Sequence, residues 1–526
     1  MHSDSRAPTD AGADGDLVDA GPLDDGDMDI GDADASRTCG NGRLDPGELC
    51  DDGSNNSDTQ ADACRNDCLP ARCGDGVLDS GETCDGSALG NHTCQDQGFY
   101  SGTLRCTASC MAFDVTGCSN CGDGVCAEED GERQETCRQD CGWVTAAIGT
   151  THACGILGDG SLWCWGNNAT GQLGLGTWHT PTGPPAPPRV VAWFQDLGLR
   201  VDKVAAGDYH TCAIAHDGQV YCWGANASGQ VGDGVGTDSH ALPVRVAGLP
   251  DGSATDIACG GRFSCAILEG AVWCWGSNEW SSLGILPGDT LPHPVAVRAD
   301  LSQATGRADT LAAGHDHACV LMDTGRIWCW GRRASGALGD GQTQPPGGIS
   351  EAQPGHSFVA TSIRAGQQTT LVQTASGEIW GWGSNASYAL GDGLSHQEQD
   401  CVSCSFDPVQ VAVAPPLTVS SFSFRKTHGC LVTDQQGVMC WGSNRYGQIG
   451  NGTTETASVP TDVSGLPQVV DVFSGDFVSC SLDVAGALWC WGKNDAYGSL
   501  GDGSSHHSSC DGVDCSLLPL RVSSPY

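Results

Sequence analysis

Cysteine is the residue type in this chain whose number and spacing point most clearly to chemistry. The chain contains 31 cysteines in 526 residues. In the C-terminal two-thirds, six pairs flank a short turn, with a spacing of ten residues, or nine where the turn is shorter. If the flanking segments are antiparallel strands, the paired residues face one another at a Cα separation of about 4.5–5.5 Å, which suits a disulfide. The predicted bridges are Cys154–Cys164, Cys212–Cys222, Cys265–Cys274, Cys319–Cys329, Cys430–Cys440 and Cys480–Cys490.

The alternative for these cysteines is a set of buried free thiols. In the fifth copy of the pattern both positions change together, to Leu371 and Gly381, and this joint loss favours covalent pairs. Two insertions that also contain histidine hold a further pair each, for which we predict local disulfides rather than His/Cys metal sites. Cys259 is left over and is predicted to be a small buried residue. The insertion pairs are Cys401–Cys404 and Cys510–Cys515.

Residues 37–142 contain fourteen cysteines in three related copies of a Cys-Gly-Asn/Asp-Gly segment. An even number of cysteines in a small, loop-rich segment predicts a disulfide scaffold. The competing chemistry is zinc binding, since Cys64 and Cys68 could supply half of a site. Acidic residues in the same copies could offer oxygen ligands to a structural calcium ion, although acids at turns are also ordinary turn formers. The calcium candidates are Asp75, Glu82, Asp85, Asp123, Glu132 and Asp140.

Histidine would be the other candidate for chemistry, because four histidines occupy one repeat position. The other three copies carry Phe263, Thr369 and Val478 there. Exchange with Phe and Val indicates a packed structural position, whereas general-base catalysis needs a single positioned group. Neither a nucleophile elbow, a phosphate-binding loop nor a zinc-protease motif is present, so we predict no catalytic residues and no enzyme activity. The four histidines are His152, His210, His317 and His428.

The elements that must position these residues follow from the dipeptide Trp-Gly, which marks one repeat position seven times at intervals of 50 to 59 residues. A period near fifty with one aromatic signature indicates a repeat array. Each copy has short runs of β-branched, aromatic and small residues separated by turn signals such as Asp217-Gly218, without helical periodicity. The fold prediction is all-β, a seven-bladed β-propeller over residues 143–526.

The remainder of the chain divides by composition. Residues 1–36 contain eleven aspartates and no apolar run, which predicts a disordered acidic linker. Residues 37–142 form the cysteine-rich repeats. An open sheet edge would invite aggregation, so we expect the last strand, near residues 518–522, to complete the first blade and close the ring.

The repeat resembles that of the regulator of chromosome condensation family, on Gly207, His210, Trp223-Gly224, Asn226 and Gly229-Gln230. The resemblance implies a seven-bladed propeller. It leaves function open among guanine-nucleotide exchange, chromatin binding and, in secreted bacterial relatives, β-lactamase inhibition. Departures, such as Arg333 for Asn and Arg425 for Gly, predict irregular loops. The preceding segment resembles myxobacterial surface repeats, and its last copy is similar to Notch-type calcium modules.

Composition limits the partners. The net charge is −40, from 64 acidic against 24 basic residues, so binding of nucleic acid or of anionic membranes is not expected. The cysteine usage predicts an oxidising compartment, extracellular or at the cell surface. The first residues do not resemble a signal peptide, and we therefore expect an upstream extension that directs export.

These observations predict a secreted or cell-surface binding protein, monomeric and without a cofactor unless calcium is bound. It would use one loop face of a disulfide-braced propeller to bind a protein or a glycan. The alternatives are a proteinaceous enzyme inhibitor of the β-lactamase-inhibitor type and a guanine-nucleotide exchange factor. The most variable segments join the third and fourth strands of the repeat, and we expect them to form that face. These variable segments include residues 175–188, 341–354, 394–408 and 504–519.

Overall fold

The computed structural model separates into two compact units. The first contains the described residues up to Thr93 together with Leu104–Val115, and the second contains Cys94–Thr103 and the described residues from Thr116 onward. The predicted acidic linker, residues 1–36, lies outside the described residues. The structure describes residues 39–127, 132, 136–178, 186–236, 238–285, 288–342, 348–352, 359–397, 401–505 and 507–524.

Disulfides and turns dominate the first unit. Its regular elements are a 3-10 turn at Gly53–Asn55 and a pair of strands, Arg105–Cys106 and Phe113–Asp114. The buried Arg65 side chain bonds Asp75 through Nε at 2.7 Å and Asp79 through a terminal nitrogen at 2.7 Å. The four bridges of this unit are Cys39–Cys68, Cys50–Cys64, Cys73–Cys110 and Cys84–Cys106.

The second unit begins with the last cysteine-rich copy, which contacts the first blade directly. The amide of Asp159 donates to the carbonyl of Asp140 at 2.9 Å, and that of Gly158 to Gly142 at 3.0 Å. The elements here are Gln95–Gln97 (3-10), strands Ser101–Gly102 and Cys118–Ser119, and helix Arg138–Cys141. The bridges are Cys94–Cys118, Cys121–Cys137 and Cys126–Cys141.

Seven antiparallel sheets follow, and each is built from strands that are consecutive in the chain. In each blade we label them A, B, C and D in chain order. Blade 1 is Trp143–Ile148, His152–Leu157, Leu162–Gly166, Arg189–Val190; blade 2 is Val201–Ala206, His210–Ala215, Val220–Gly224, His240–Arg245; blade 3 is Ala254–Cys259, Phe263–Leu268, Ala271–Gly276, His293–Arg298. Blade 4 is Ala308–Ala313, His317–Met322, Ile327–Gly331, Ser350–Glu351.

Blade 5 is Ala360–Ala365, Thr369–Thr374, Ile379–Ser384, Cys404–Gln410; blade 6 is Val419–Arg425, His428–Thr433, Val438–Gly442, Ala457–Asp462; blade 7 is Val469–Ser474, Val478–Asp483, Leu488–Lys493, Val513–Arg521. A short strand, Ser508–Cys510, extends the sheet of blade 7. The connections contain helix Ala192–Asp196 and 3-10 turns Ala334–Gly336 and Ala386–Tyr388. The A strands of all seven blades line a central channel. The seven-bladed prediction is therefore confirmed.

The B–C hairpins have the predicted register. Cys212 lies opposite Cys222 and Ile214 opposite Val220. In the six hairpin pairs the sulfurs are 2.06–2.13 Å apart and the Cα atoms 4.0–4.1 Å apart. In blade 5 the buried Leu371 side chain fills the space over Gly381, where a Cβ would lie 2.2 Å from Leu371 Cδ2. A large residue has thus replaced one cysteine, which requires glycine at the other position.

Peptide mapping of the native protein without reduction is expected to recover the six hairpin pairs as linked peptides, because their sulfurs are already at bonding distance. Thiol titration after denaturation should find one free thiol per chain, at Cys259, the one unpaired cysteine. Matched mapping after reduction gives the reference peptides. Free thiols at most of the hairpin positions would contradict an oxidised protein and, with it, an extracellular location.

Each tryptophan of the Trp-Gly repeat joins two blades. Its indole Nε1 donates to a carbonyl in the C–D loop of the preceding blade at 2.8–3.2 Å, and the ring is fully buried. The glycine that follows has φ between +94° and +109°, and a Cβ there would lie 2.3–2.6 Å from a carbonyl oxygen of the A–B turn. The dipeptide repeats because both its residues are required where blades meet.

The predicted mode of ring closure is wrong. The last strand, Val513–Arg521, pairs with Leu488–Lys493 in blade 7, and blade 1 has its own outer strand, Arg189–Val190. Blades 7 and 1 meet instead in a buried cluster that includes Trp143, Leu488 and Val522, and the amide of Trp143 donates to the Gly486 carbonyl of blade 7 at 2.9 Å. Each copy supplies a complete four-stranded sheet, so no strand has to be shared.

Candidate binding face

The A–B turns and the C–D loops emerge on the same face of the propeller. In every blade the amide just after strand C, or at its last residue, donates to a carbonyl of the A–B turn, as from Ala225 to Tyr209 at 2.8 Å. We call this surface the loop face. The variable segments predicted to cluster, residues 175–188, 341–354, 394–408 and 504–519, all begin in the connection from strand C to strand D, and their described residues that precede strand D lie on this face. Residues 350–351, 404–408 and 513–519 belong to strand D itself.

The four repeat histidines lie between blades and are fully buried. Each Nε2 hydrogen-bonds a serine or threonine hydroxyl of the next blade at 2.9–3.1 Å, as His210 does with Ser264. That hydroxyl donates its own proton to the carbonyl that also accepts from the tryptophan, so Nε2 carries the ring proton. The pairs are His152–Thr211, His210–Ser264, His317–Thr370 and His428–Ser479.

The partner of each histidine could have been found in the sequence. Blade 3 has Phe263 at the histidine position, and blade 4 has Ala318 where the hydroxyl residue would be. Blade 7 likewise has Val478 at the histidine position, and blade 1 has Ala153 at the hydroxyl position. Burial lowers the pKa of His152 to about 3 and those of His210, His317 and His428 to about 4. Neutral rings at separate seams hold blades together, in agreement with the structural interpretation of this position.

The free thiol Cys259 is buried at the seam of blades 2 and 3. Its sulfur contacts the carbonyl of Ala205 at 3.6 Å and the hydroxyl of Ser264 at 3.9 Å. Burial raises its pKa to about 12, so the thiolate, which is the reactive form, is suppressed. The thiol thus fills space, as the sequence predicted.

A group of charged side chains lies at the mouth of the central channel on the loop face. It bounds a cavity of about 160 Å³ to which the A–B turns of all seven blades contribute. The residues that follow the repeated glycine differ from blade to blade. They are Thr150, Asp208, Gly261, His315, Gln367, Lys426 and Asp476.

Arg425 connects the two sides of this mouth. It takes the place of the glycine that precedes the A–B turn in the other copies, and it donates to the Ala206 carbonyl at 2.8 Å, to Asp208 at 3.4 Å and to Asp476 at 3.1 Å. The Thr150 hydroxyl bonds the same two carboxylates at 3.4 and 3.0 Å. The sequence predicted an irregular loop at Arg425 but missed this cluster. The sequence signal that could have revealed the cluster is the position after the repeated glycine, where the residue type changes from blade to blade.

Paired charges fix the protonation states at the channel mouth. Hydrogen bonds to Asp208 and Asp316 raise the pKa of His315 to about 10. Burial alone would raise the pKa of Asp208, but its bond with His315 and the charge of Arg425 lower it to about 2. The pKa values of His315 and Asp208 thus lie far from neutral pH, near which a general acid or base works best. The arrangement can orient a bound polar group.

Aromatic side chains add to the loop face. Among the described propeller residues, the exposed aromatic side chains all lie in A–B turns or C–D loops. The guanidinium of Arg332 stacks over the Trp280 ring at 4.6 Å. Exposed aromatic residues and arginines are typical of protein interfaces. These aromatic residues are Trp178, Tyr209, Trp280 and Tyr388.

The calcium candidates fall into two groups with different surroundings. Asp75 bonds Arg65, Asp85 accepts from the amides of Gly74, Asp75 and Gly76, and Glu82 from that of Asp79, so this group is engaged by the protein. The other group consists of Asp123, Glu132 and Asp140, which also accept from backbone amides, and one oxygen of each carboxylate lies within 4.8 Å of the others. Three carboxylates this close could supply half of the ligands of a calcium ion, which stays a prediction.

The loop cysteines also lie at bonding positions, Cys401 with Cys404 and Cys510 with Cys515. The neighbouring His396 contacts Asp392, and His507 contacts Asp502 and Asp514. These histidines brace their own loops through carboxylates. No described helix is both long and apolar enough to cross a membrane.

Comparison with known proteins agrees with this architecture. The chain is similar to the mitochondrial RCC1 domain-containing protein RUG3 of Arabidopsis thaliana, at 26% identity over 63% of this chain and 77% of that protein. It is 28% identical to human E3 ubiquitin-protein ligase HERC2 over 66% of the chain, but spans only 7% of that protein. The solved structure of Prp20p from Saccharomyces cerevisiae superposes with a TM-score of 0.59 at 18% identity, covering 73% of this chain and 88% of that one.

Family models give the same assignment over most of the chain. The model described as "Regulator of chromosome condensation (RCC1) repeat" matches residues 143–172. The model described as "RCC1-like domain" matches residues 161–523, which is more than half of the sequence and runs from strand C of blade 1 to the end of blade 7. On this basis the chain belongs to the RCC1-like domain family.

Proposed function

We propose that this protein binds a protein partner through the loop face of its propeller and catalyses no reaction. The observation that carries the proposal is the location of the exposed aromatic residues Trp178, Tyr209, Trp280 and Tyr388 on that one face. One of them, Tyr209, lines the channel mouth, at which the blades present different residues. Repeated residues build the scaffold, whereas recognition of one partner needs a surface without repetition.

The charged cluster supports binding over catalysis. Asp208, with its pKa of about 2, and His315, with its pKa of about 10, both keep their charge near neutral pH. A hydrolase with carboxylate chemistry would need one group poised to give or take a proton. Within the family fold, the yeast Prp20p structure is described together with binding to Gsp1p and histones, which is consistent with a protein as the partner.

We further propose that the protein works outside the cell or at its surface. Thirty of the 31 cysteines are within disulfide pairs and one is free, a state typical of oxidising compartments. Guanine-nucleotide exchange on an intracellular partner is the weaker candidate for this reason. Enzyme inhibition is a specific form of the proposed binding, and the aromatic loop face favours it as the second candidate. A glycan in place of the protein partner is distinguished by the experiment.

The test uses the full chain as bait against the surface proteome of the producing cells and of neighbouring cells, with enzymatic deglycosylation in parallel. The parts of the variable segments 394–408 and 504–519 that precede strand D, residues 394–403 and 504–512, are then replaced, separately and together, by the short C–D connection of blade 2, with Cys404 and Cys515 changed to serine so that no unpaired thiol remains. We expect each replacement to weaken partner capture at least roughly tenfold, because both remove loop-face contacts. Capture that resists protease but is lost on deglycosylation would indicate a glycan.

The matched control alters the opposite face. Replacing the B–C turn Asp217-Gly218 by Asn-Gly keeps a turn of the same type there, and it should leave capture unchanged. Circular dichroism and the thermal midpoint check that every variant is folded. Capture that survives both loop replacements but is abolished by changes in the B–C turns would overturn the assignment of the loop face.

A further inference from the structure

A cluster of cations stacked on aromatic rings lies on the loop face between blades 6 and 7. Lys426 places Nζ 4.2 Å from the centre of the Phe477 ring, and Lys493 places Nζ 5.2 Å from the same ring. Lys493 also lies 5.6 Å from the Tyr446 ring, which meets Phe477 edge to face at 5.4 Å. Arg445 lies 5.7 Å from Tyr446. We call these five residues the cation–aromatic cluster.

The composition of the chain makes this clustering informative. The protein has only three lysines, and two of them share one phenylalanine ring. The three aromatic-bound cations come from different segments: the A–B turn of blade 6, the C–D loop of blade 6 and the end of strand C in blade 7. Such convergence within a chain of net charge −40 requires the tertiary structure and does not follow from the repeat.

Two carboxylates pair with cations of the cluster, whereas Lys493 has no ion pair among the described residues. The Asp476 side chain is 12% exposed and bonds Arg425 and Lys426. Burial raises the pKa of Asp495, although the nearby charge of Lys493 acts to lower it. Asp511 is exposed and bonds Arg445, whose own side chain is 67% exposed. Lys493 and the terminal nitrogens of the exposed Arg445 guanidinium are therefore the groups of the cluster that are open to a further carboxylate.

We propose that the cation–aromatic cluster binds an acidic peptide segment of the partner, with side-chain carboxylates meeting Lys426, Lys493 and Arg445. The proposal rests on the loop face being the binding surface and names the chemistry that it recognises. Rings beneath the ammonium groups restrict the two lysines before binding, which lowers the entropy lost when a carboxylate pairs with them. The ring edges offer apolar contact to the methylene groups of glutamate.

Charge also explains why such a site is needed. A protein with net charge −40 repels an acidic partner at long range, although salt at physiological concentration screens this repulsion beyond about 8 Å. A local positive patch then restricts acidic segments to one place and one orientation. The cations of the channel mouth, Arg425 and His315, each bond two carboxylates, whereas Lys426 and Arg445 each bond one.

The experiment measures fluorescence anisotropy of a fluorescein-labelled oligoglutamate peptide of about twelve residues with the full chain, at several salt concentrations. We expect binding that weakens as salt rises. The double variant Lys426→Glu/Lys493→Glu should weaken it at least roughly tenfold, since it replaces attraction by repulsion. The affinity of the neutral variant Lys426→Gln/Lys493→Gln should lie between those of the parent and of the charge-reversed variant. It provides a second measurement if the charge-reversed variant does not fold.

The matched control Arg189→Glu/Arg298→Glu makes the same change in net charge on the exposed outer strands of blades 1 and 3. It should bind oligoglutamate almost as the parent does. Equal losses in the two double variants would show an effect of overall charge and would overturn the site. Absence of oligoglutamate binding at low salt would overturn it as well. Lysine-dependent binding of a sulfated oligosaccharide, without binding of oligoglutamate, would overturn it in favour of a glycan.

The outcome is separable from that of the proposed function. If the loop replacements abolish partner capture while oligoglutamate does not bind, the loop face stands and this inference fails. If oligoglutamate binding depends on Lys426 and Lys493 while capture survives the loop replacements, the cluster stands and the proposed function fails.

Discussion

Deleting residues 516–526 is expected to lower the thermal midpoint on the order of 10 °C or more, from a loss of roughly 5 kcal/mol in the free energy of unfolding. The deleted segment includes most of the outer strand of blade 7, which pairs with Leu488–Lys493. It also includes Val522, which is buried in the cluster between blades 7 and 1 and whose amide donates to Leu488 at 2.8 Å. The ring would lose packing at the seam where its two ends meet.

The same segment also contacts blade 6. The amide of Gly452 donates to the Leu517 carbonyl at 3.0 Å. Its removal therefore affects three blades and leaves strand C of blade 7 as an exposed edge, with unpaired backbone groups that promote aggregation. We expect a lower yield of monomer in size-exclusion chromatography as well as a lower midpoint in calorimetry.

The control is removal of residues 1–36. This tract has no apolar run that could contribute to a core, so its removal should leave the midpoint almost unchanged. A milder variant, Val522→Ala, tests the seam without removing a strand and should cost about 1–3 kcal/mol. If both truncations shift the midpoint equally, packing of the C-terminal strand does not close the ring.

Acidification is the second change with a large expected effect, because four neutral histidines lie in the seams. Their pKa values of about 3 to 4 are below the unfolded value of 6.5. The unfolded chain therefore binds protons first, and stability is lost as pH falls from about 6.5 toward 4. Each histidine contributes a loss of about 3 kcal/mol by pH 4, at about 1.4 kcal/mol per pKa unit. Urea denaturation at several pH values between 7 and 4.5 measures this loss in the free energy of unfolding.

His315 responds to pH in the opposite direction. Because its pKa is raised to about 10, its ion pairs stabilise the folded protein fully below pH 6.5 and are lost as pH rises through 10. It therefore does not offset the acid loss from the seam histidines. Stability should be highest between these two ranges, near neutral pH.

The chain itself provides the variant that isolates one seam. The double substitution His210→Phe/Ser264→Ala copies the pairing of Phe263 with Ala318 between blades 3 and 4. We expect it to be folded and to remove about a quarter of the acid sensitivity. Ser264→Ala alone should cost about 1–3 kcal/mol, because the His210 Nε2–H then lacks its hydroxyl partner in a buried seam.

A double-mutant cycle provides the comparison. If histidine and hydroxyl act as a pair, the double variant is less destabilised than the sum of the single variants. Additive effects, or an unchanged pH profile in the double variant, would show that the seam histidines are not the acid-sensitive groups.

The sequence by itself determined the blades. Trp-Gly at intervals of 50 to 59 residues and the spacing of Cys212 and Cys222 specified seven hairpins in the correct register. These features depend on residues that are close in the chain, where turn length and alternation fix which side chains face each other. The joint change at Leu371 and Gly381 was also visible, although its reason, a leucine that fills the space over glycine, required coordinates.

The tertiary structure decided what happens between blades. Arg425 and Ala206 are 219 residues apart, and Thr150 and Asp476 are 326 apart, yet they meet at one channel mouth because the ring closes. Closure of the ring by packing between blades 7 and 1 could not be predicted from the sequence either, since every copy is a complete sheet. A repeat pattern specifies the unit and its neighbours. The number of blades and their rotation about the axis decide which residues of different blades meet there. Neither quantity is contained in a local sequence pattern.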